Sequence, residues 1–600
     1  METSYRPEID GLRALAVLAV IAFHAGLPFA SGGYLGVDIF FVISGYLITR
    51  LIVNDVSSGR FSFRKFYLRR IRRIIPALLL TIVLTIPLAW MVMVPDQLQN
   101  YGQSVVATVV MANNILLHQT RGYWSDPVEY KPLSHTWSLG VEEQFYLLFP
   151  LVMVAIFAVF RSRPRLAAGY CIAAVVLLSL ALTQMYSDRF AFLMLPTRAW
   201  ELGVGALVAL LPSSLQNRGA SLRELVALIG ALAMVLPMAL FDEVHAIPSP
   251  MSTIPVAGCA LFIWGATHKG MAGRLFAARP IVAVGLISYS AYLFHQPVFA
   301  VIKLLSDEPP APWLLASLTP LILMLAWASW YWIEGPARDR TRISDKAILA
   351  ICGGIAAICF ALGMMFHLSN GLASSWATIH SDPAKHPVDI SDFNRSVRGY
   401  LRDDLDPAIR HRNVLVVGDS FAHDALHMAV LGGGVEAKGL ALVRRSRCEA
   451  LLERKAESFA DKAAIAIVAF DFDEIEIFCI TNLVTKLENA GFDTVRVLGT
   501  KRFGYTVNSA AFGFAGGEDG RLALRPPEIR RLNQLARQAL PEGVFIDPLD
   551  DVSASENRVP VYTKSGMLVS QDAKHVTPDG ARWIGEALFA RPEFAVLTEN

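Results

Sequence analysis

Residues 347–366 read AILAICGGIAAICFALGMMF, twenty residues without a charge, and the chain then turns to HLSNGLASSWATIHSDPAK over 367–385. A run of that length suits a helix across a bilayer, and the polar stretch behind it carries no apolar period. The chain therefore divides near residue 367. Working back from this run, ten more apolar segments lie at 11–29, 36–53, 74–94, 143–160, 167–186, 199–212, 225–241, 254–267, 281–302 and 313–332. The expectation is a polytopic α-helical membrane domain of about eleven spans over 1–367, a linker or accessory segment over 368–410, and a second domain over 411–600. Composition agrees, since 54% hydrophobic and 18% charged residues in 600 positions are too apolar for a wholly soluble protein.

The segment 104–117, VVATVVMANNILL at its core, is apolar but interrupted by Asn113 and Asn114, and three readings stand open: span, re-entrant piece or interfacial helix. Loop charge arbitrates on spanning. If the segment does not span, Arg60, Arg64, Arg70, Arg73, Arg161, Arg163, Arg165, Arg274 and Arg338 all fall on one side, with few basic residues opposite. The N-terminus is then expected in the cytoplasm of an inner-membrane, multi-pass protein, with the second domain extracytoplasmic. The first apolar run follows YRPEIDGLR rather than a basic leader, so it is expected to stay in the mature protein.

The formal charge of +2, from 54 basic and 52 acidic residues, gives no excess for binding a phosphate backbone, so nucleic acid is not an expected partner. Six cysteines without metal-ligand spacing give no reason to expect a metal. Cys448 and Cys479 are the only thiols of the second half, and two readings remain: a disulfide in an oxidising compartment, or two buried free thiols.

Arg13 and His24 are eleven residues apart, which on a helix puts them on one face about 16 Å apart, with Asp10 close to the same face. Ionisable groups on one stripe of a spanning helix mark a functional path unless they snorkel. Snorkelling accounts for Asp10 near the cytoplasmic end but not for His24. The loop FSFRKFYLRRIRRIIP, residues 61–76, crowds arginines into a short stretch. Topogenic charge explains it, and so does binding of a phosphate-bearing cofactor by guanidinium forks.

In the second half VLVVGDS reads as a buried strand opening into a helix, AAIAIVAF and TVRVLGT as further strands, and RPPEIRRLNQLARQAL and PDGARWIGEALF as covering helices, which makes an α/β/α sandwich. Ser420 then sits at a strand's carboxyl end and a helix N-terminus, where amides can stabilise an oxyanion. As a lone GDS turn this would be only a capping serine. Asp572 and His575, spaced to let a carboxylate orient an imidazole, supply the base that a weak hydroxyl nucleophile needs.

The stretches YRPEIDGLRALAVLAVIAFH, GGYLGVDIFFVISGYLI, FYLRRIRRIIPALL, PLSHTWSLGVEEQFYLLFP, PTRAWELGVGAL and GLISYSAYLFHQPV resemble, in order, those of the membrane-bound acyltransferase family three, in the branch with a fused extracytoplasmic SGNH domain. The resemblance implies an acetyl-CoA-dependent O-acetyltransferase. It carries the family's Arg-ten residues-His motif onto Arg13 and His24 and its RxxR motif onto Arg70 and Arg73. It also implies importance for Asp38, Tyr46, Trp137, Glu142, Arg198 and Glu201. GDSF and DxxH similarly resemble the SGNH hydrolase-like fold, which implies Ser420 as nucleophile, His575 as general base and Asp572 as its orienting acid. That fold's middle motifs are not recognisable around Gly439 or Phe470 to Asp473, so the oxyanion hole rests on the Ser420 amide alone.

The resulting expectation is transfer of an acetyl group from cytoplasmic acetyl-CoA across the lipid bilayer to a hydroxyl of a cell-surface glycan, O-antigen or exopolysaccharide foremost. The alternatives are an external glycan deacetylase or esterase, and an acyl transporter with an accessory domain. Eleven spans are more than an anchor needs, and a transporter gives the Ser/His/Asp set no task.

Overall fold

The computed structural model describes residues 5–120, 127–212, 219–242, 250–267, 270–372, 393, 396–399, 405–435, 439–444, 448, 455–512 and 521–594. Most of the linker expected over 368–410 lies outside them. The N-terminal part is helical: α1 Pro7–His24, α2 Gly36–Ser57, α3 Phe63–Val92, α4 Pro95–Val109, α5 Asn113–Thr120 and α6 Trp137–Val159 are followed by further helices up to Asp345–Leu368. Among the described residues, seven segments are long and apolar enough to cross a membrane, or eight when Arg279–Leu286 and Ser288–Leu305, bent by 66°, are taken as one. The other three expected spans are α1, which carries Glu8, Asp10 and Arg13; Leu195–Leu210, which carries Arg198 and Glu201; and Thr253–Gly265, only 13 residues long. Charge separates α1 from the rest, charge and a length of 16 residues separate Leu195–Leu210, and length alone separates Thr253–Gly265.

Two local readings change. The arginine-rich stretch is not a loop, because Phe63 onward is the start of α3, capped by the Ser62 hydroxyl accepting from the Lys65 amide. At 30 residues α3 is roughly 45 Å long, more than a bilayer core needs, so its first turns carry the arginines beyond it. The segment 104–117 is a broken helix: α4 ends at Val109, Met111 takes a left-handed φ of 56°, and α5 begins at Asn113. Its buried asparagines explain the break. Asn113 Nδ2 donates to Leu133 O and Thr136 Oγ1, both at 2.8 Å, and Asn114 Nδ2 donates to Leu193 O at 3.1 Å.

The C-terminal part is an α/β unit. Strands β1 Val414–Gly418, β2 Leu440–Arg444, β3 Ile465–Ala469, β4 Thr494–Leu498 and β6 Phe545–Ile546 form a parallel sheet in the order β2-β1-β3-β4-β6. β5 Leu522–Leu524 and β7 Arg558–Pro560 pair separately and antiparallel. β1 and β3 are buried throughout, which is why they read as continuous apolar runs. The order reverses at β1, so the crevice between the carboxyl ends of β1 and β3 is where this topology binds ligands.

The two parts meet at the turn between α3 and α4. Asn508 Nδ2 donates to Val92 O and Gln97 Oε1, both at 2.6 Å, and the Asp96 amide donates to Gln571 Oε1 at 3.0 Å. Val94 is fully buried in the same apolar cluster as Phe503, Val507, Val569 and Ala573. A second contact joins Asp307, just beyond helix Ser288–Leu305, to Arg558 at 2.8 Å and to the Leu524 amide at 3.2 Å.

Candidate active sites at the two ends of one helix

Near the N-terminal end of α3 a cavity of about 100 Å³ is lined by Arg13, Arg70, Arg73, Ser44, Glu142 and Tyr146, among others. Its chemistry follows from helix phase. Arg70 and Arg73, three residues apart, share the face that opens on the cavity. Arg69 instead pairs with Asp55, and Arg72, 2% exposed, is held by Asp345 and by the carbonyls of Ala337 and Ile343. One basic run thus supplies both structural and cavity-facing cations. Ser44 and the Tyr146 hydroxyl both donate to Glu142 Oε1, while the Arg70 guanidinium lies 5.0 Å from the Tyr146 ring centre. Arg13 reaches the cavity with one nitrogen 3.0 Å from Asp10 Oδ1, and Asp10 also accepts from the Tyr5 hydroxyl at 2.8 Å.

The structure does not bring all the motif residues to this cavity. Asp38, Arg198 and Glu201 form a separate buried ion cluster, with the guanidinium 5.5–5.7 Å from the ring centres of Phe41, Trp137 and Phe192. A charge buried that deeply persists only when paired, and the cluster ties α2 to helix Leu195–Leu210. Tyr46 accepts from Arg6 at 3.0 Å and from Arg50 at 3.2 Å.

His24 is the last residue of α1 and lies off the cavity, its Nδ1 donating to Val20 O at 3.0 Å. Its ring is 5.0 Å from that of His295, which is in turn 5.3 Å from His135. Tyr292 joins this histidine cluster to the cavity, because it lines the cavity, sits 5.3 Å from both His135 and His295, and donates to His135 O at 2.8 Å. Sequence reasoning missed His135 and His295. Each lies in a stretch that carried the family resemblance, SHTW and LFHQP, and the isolated histidine within each was the available signal. A second cavity, of about 20 Å³, is lined by Gln97, Tyr101, Lys131 and Leu133, and shares Gln97 with the seat of the C-terminal unit.

At the other end of α3, Ser420 Oγ is 3.0 Å from His575 Nε2, and His575 Nδ1 is 2.5 Å from Asp572 Oδ2. Burial alone would raise the Asp572 pKa, but the facing imidazole and the amides of His575 and Lys574 hold it at about 2. The carboxylate is therefore charged and fixed, able to keep the imidazole oriented with Nε2 toward the serine. Asp419 caps the helix that begins at Ser420 by accepting from the Phe421 amide at 2.8 Å, and its second oxygen accepts from the Asp471 amide at 3.0 Å. That amide, two residues beyond β3, is thus occupied, and the Asp471 carboxylate meets Arg502 and Lys574, each at 3.2 Å. Gly418 is required by close approach, since a Cβ there would stand 1.8 Å from Ala469 O of β3. Sequence reasoning also missed Lys501, buried 2.5 Å from Asp424 Oδ2 with its ammonium 3.4 Å from the Phe421 ring centre. Burial pushes the Asp424 carboxyl up, against the pull of Lys501. The structure joins Cys448 to Cys479, with Cα atoms 6.0 Å apart.

Residues 6–333, more than half of the chain, match the acyltransferase domain family. The chain is a member of that family. This acyltransferase is 32% identical over 359 residues to the putative peptidoglycan O-acetyltransferase YrhL of Bacillus subtilis, a match covering 56% of this chain and 55% of the relative. It is 28% identical over 349 residues to the peptidoglycan O-acetyltransferase OatA of Listeria monocytogenes, covering 56% of each. The chain thus spans little more than half the length of the curated relatives it matches. No solved structure matches it.

Proposed function

We propose that this acyltransferase moves an acetyl group from acetyl-CoA on the cytoplasmic side, across the inner membrane, to a hydroxyl of an extracytoplasmic glycan. The observation that carries the reading is the placement of two chemically distinct sites at opposite ends of α3, on one chain. Arg13, Arg70 and Arg73 are three guanidinium groups around one cavity, a donor set that suits phosphate oxygens, with Glu142 and Tyr146 beside it. Acetyl-CoA supplies the activated acyl thioester. The arginines would hold its phosphates, and the cavity would orient the acyl end toward Tyr292 and the histidine cluster. At the far end His575 Nε2 takes the proton of Ser420 Oγ as that oxygen attacks the acetyl carbonyl, and hands it to the departing acyl carrier as the carrier–carbonyl bond breaks, Asp572 stabilising the imidazolium in between. A glycan hydroxyl then attacks the acetyl-serine, its proton passing to the neutral His575 and from there to Ser420 Oγ as the ester bond breaks. The Ser420 amide, at the first turn of its helix, is the donor available to the oxyanion.

The acceptor is a glycan. The names of the relatives favour peptidoglycan over O-antigen or exopolysaccharide as the first polymer to test. The experiment is mass spectrometry of peptidoglycan and surface polysaccharide from cells with and without the gene, complemented by wild type, His24→Ala or Ser420→Ala. The expected result is an acetyl mark restored by wild type alone. Marks restored equally by Ser420→Ala would assign the chemistry to the membrane part and leave the C-terminal unit only a binding task.

A further inference from the structure

The loop that carries the general base is strained and shared between the two parts of the molecule. Ala573, between Asp572 and His575, has a φ of 62°, a left-handed conformation that is unfavourable for a non-glycine residue and persists only where its surroundings over-determine it. Two contacts flank it. On the inner side the Phe503 amide donates to Ala573 O at 2.9 Å. On the outer side Gln571, buried at 3% exposure, accepts from the amide of Asp96, which belongs to the membrane part. Asp96 is the second residue of α4, where an amide has no partner within its own helix, so donating outward costs α4 nothing. The donor is itself fixed, because Gly102 of α4 packs on the Gly363 backbone of the last span and Gly371 packs on Pro95.

We infer that Gln571 is a positioning residue through which the membrane part holds the Asp572–His575 loop in its working geometry, so that Ser420 reaches its full reactivity as acyl acceptor only in the docked molecule. This rests on the reading of Ser420 as the acceptor of the acyl group. The link is direct: Gln571 precedes Asp572, whose Oδ1 receives the His575 amide at 2.7 Å and whose Oδ2 sets the ring. Release of Gln571 frees one side of the four-residue loop Asp572–His575, which holds an unfavourable backbone conformation at Ala573, and His575 Nε2 moves away from Ser420 Oγ. Asn508, which grips Val92 and Gln97 on the same turn, guards the contact from a second direction.

The test uses the full chain in detergent micelles and a serine-directed fluorophosphonate as probe, with the rate of adduct formation at Ser420 read by peptide mapping. Gln571→Ala is expected to slow labelling by roughly tenfold, the loss of one oriented hydrogen bond. Gln571→Glu keeps an oxygen to accept the Asp96 amide and should label within about twofold of wild type, a rescue that a merely structural role would not give. Asn508→Ala, which leaves the loop sequence intact, should slow labelling as well. Wild-type rates in Gln571→Ala or in Asn508→Ala, or equal slowing in the Ala and Glu variants at 571, would overturn the inference while leaving Ser420 as acceptor. An inert Ser420 in the wild-type chain would overturn both.

Discussion

Arg72 and its neighbours Arg70 and Arg73 show how far a residue's identity lies from its task. Arg70→Ala or Arg73→Ala is expected to reduce acetyl transfer by at least about a hundredfold in proteoliposomes supplied with labelled acetyl-CoA, with little change in thermal midpoint, because each faces the cavity. Arg72→Ala is expected to do the reverse. It abandons Asp345 and two buried carbonyls, costs roughly 2 kcal/mol, and shows as a lower melting temperature of the purified protein. In the other unit the depressed pKa of Asp572 fixes the sign of a pH effect. Its ionised form contributes stability that is fully present above the ordinary aspartate pKa near 4 and is lost as pH falls through about 2. Melting curves of wild type and Asp572→Asn should therefore differ by about 2 kcal/mol at pH 6 and converge toward pH 2. The Ser/His/Asp set was legible because each member sits in a short local pattern. His135, His295 and Lys501 were not, since they gain meaning only from partners more than seventy residues away in sequence.

Among the elements, β1 and β3 were read well because burial on both faces writes a continuous apolar run, as in VLVVG and IAIVA, whereas the edge strands β2 and β6 were not read, β6 being only two residues long. The helices of the membrane part were read less evenly. Apolar length marks a helix such as Asp345–Leu368, but α3 begins eleven residues before its apolar run, because a helix that leaves the bilayer continues in charged residues with no change of backbone. The interruption at Asn113 and Asn114 was legible, but which of span, re-entrant piece or interfacial helix it made was not, since the break depends on the asparagines bonding to distant carbonyls. Two glycines give a test at this scale. Gly418→Ala would push a methyl group into Ala469 O and force β1 from β3, so a loss of about 3 kcal/mol or more and of Ser420 labelling is expected. Gly353→Ala, in the last span with no heavy atom within 4 Å of the added carbon, should melt at or above the wild-type temperature. Thermal unfolding of both variants checks the pair.

For the whole molecule, the division near residue 367 was plain from hydropathy, whereas the seat of one part on the other was not, because Asp96, Gln97 and Asp307 look like ordinary loop residues, and Val94 like the end of a span, until their partners are placed. The two-sided reading makes a topological prediction. In a Cys171→Ser background, Arg60→Cys and Ser565→Cys should react with an impermeant maleimide from opposite faces of the membrane, the first only after permeabilisation, as the arginine asymmetry requires. Labelling of both from outside would refute it. Val94 carries one more consequence, for biogenesis. Its side chain fills part of the apolar core of a unit synthesised more than three hundred residues later. The late unit therefore completes its core on a template that the ribosome delivered early, and the order of translation matches the order of assembly. Grafting that unit onto a foreign anchor would leave the space of one valine empty, so the two parts are expected to be inherited as a pair rather than exchanged as modules.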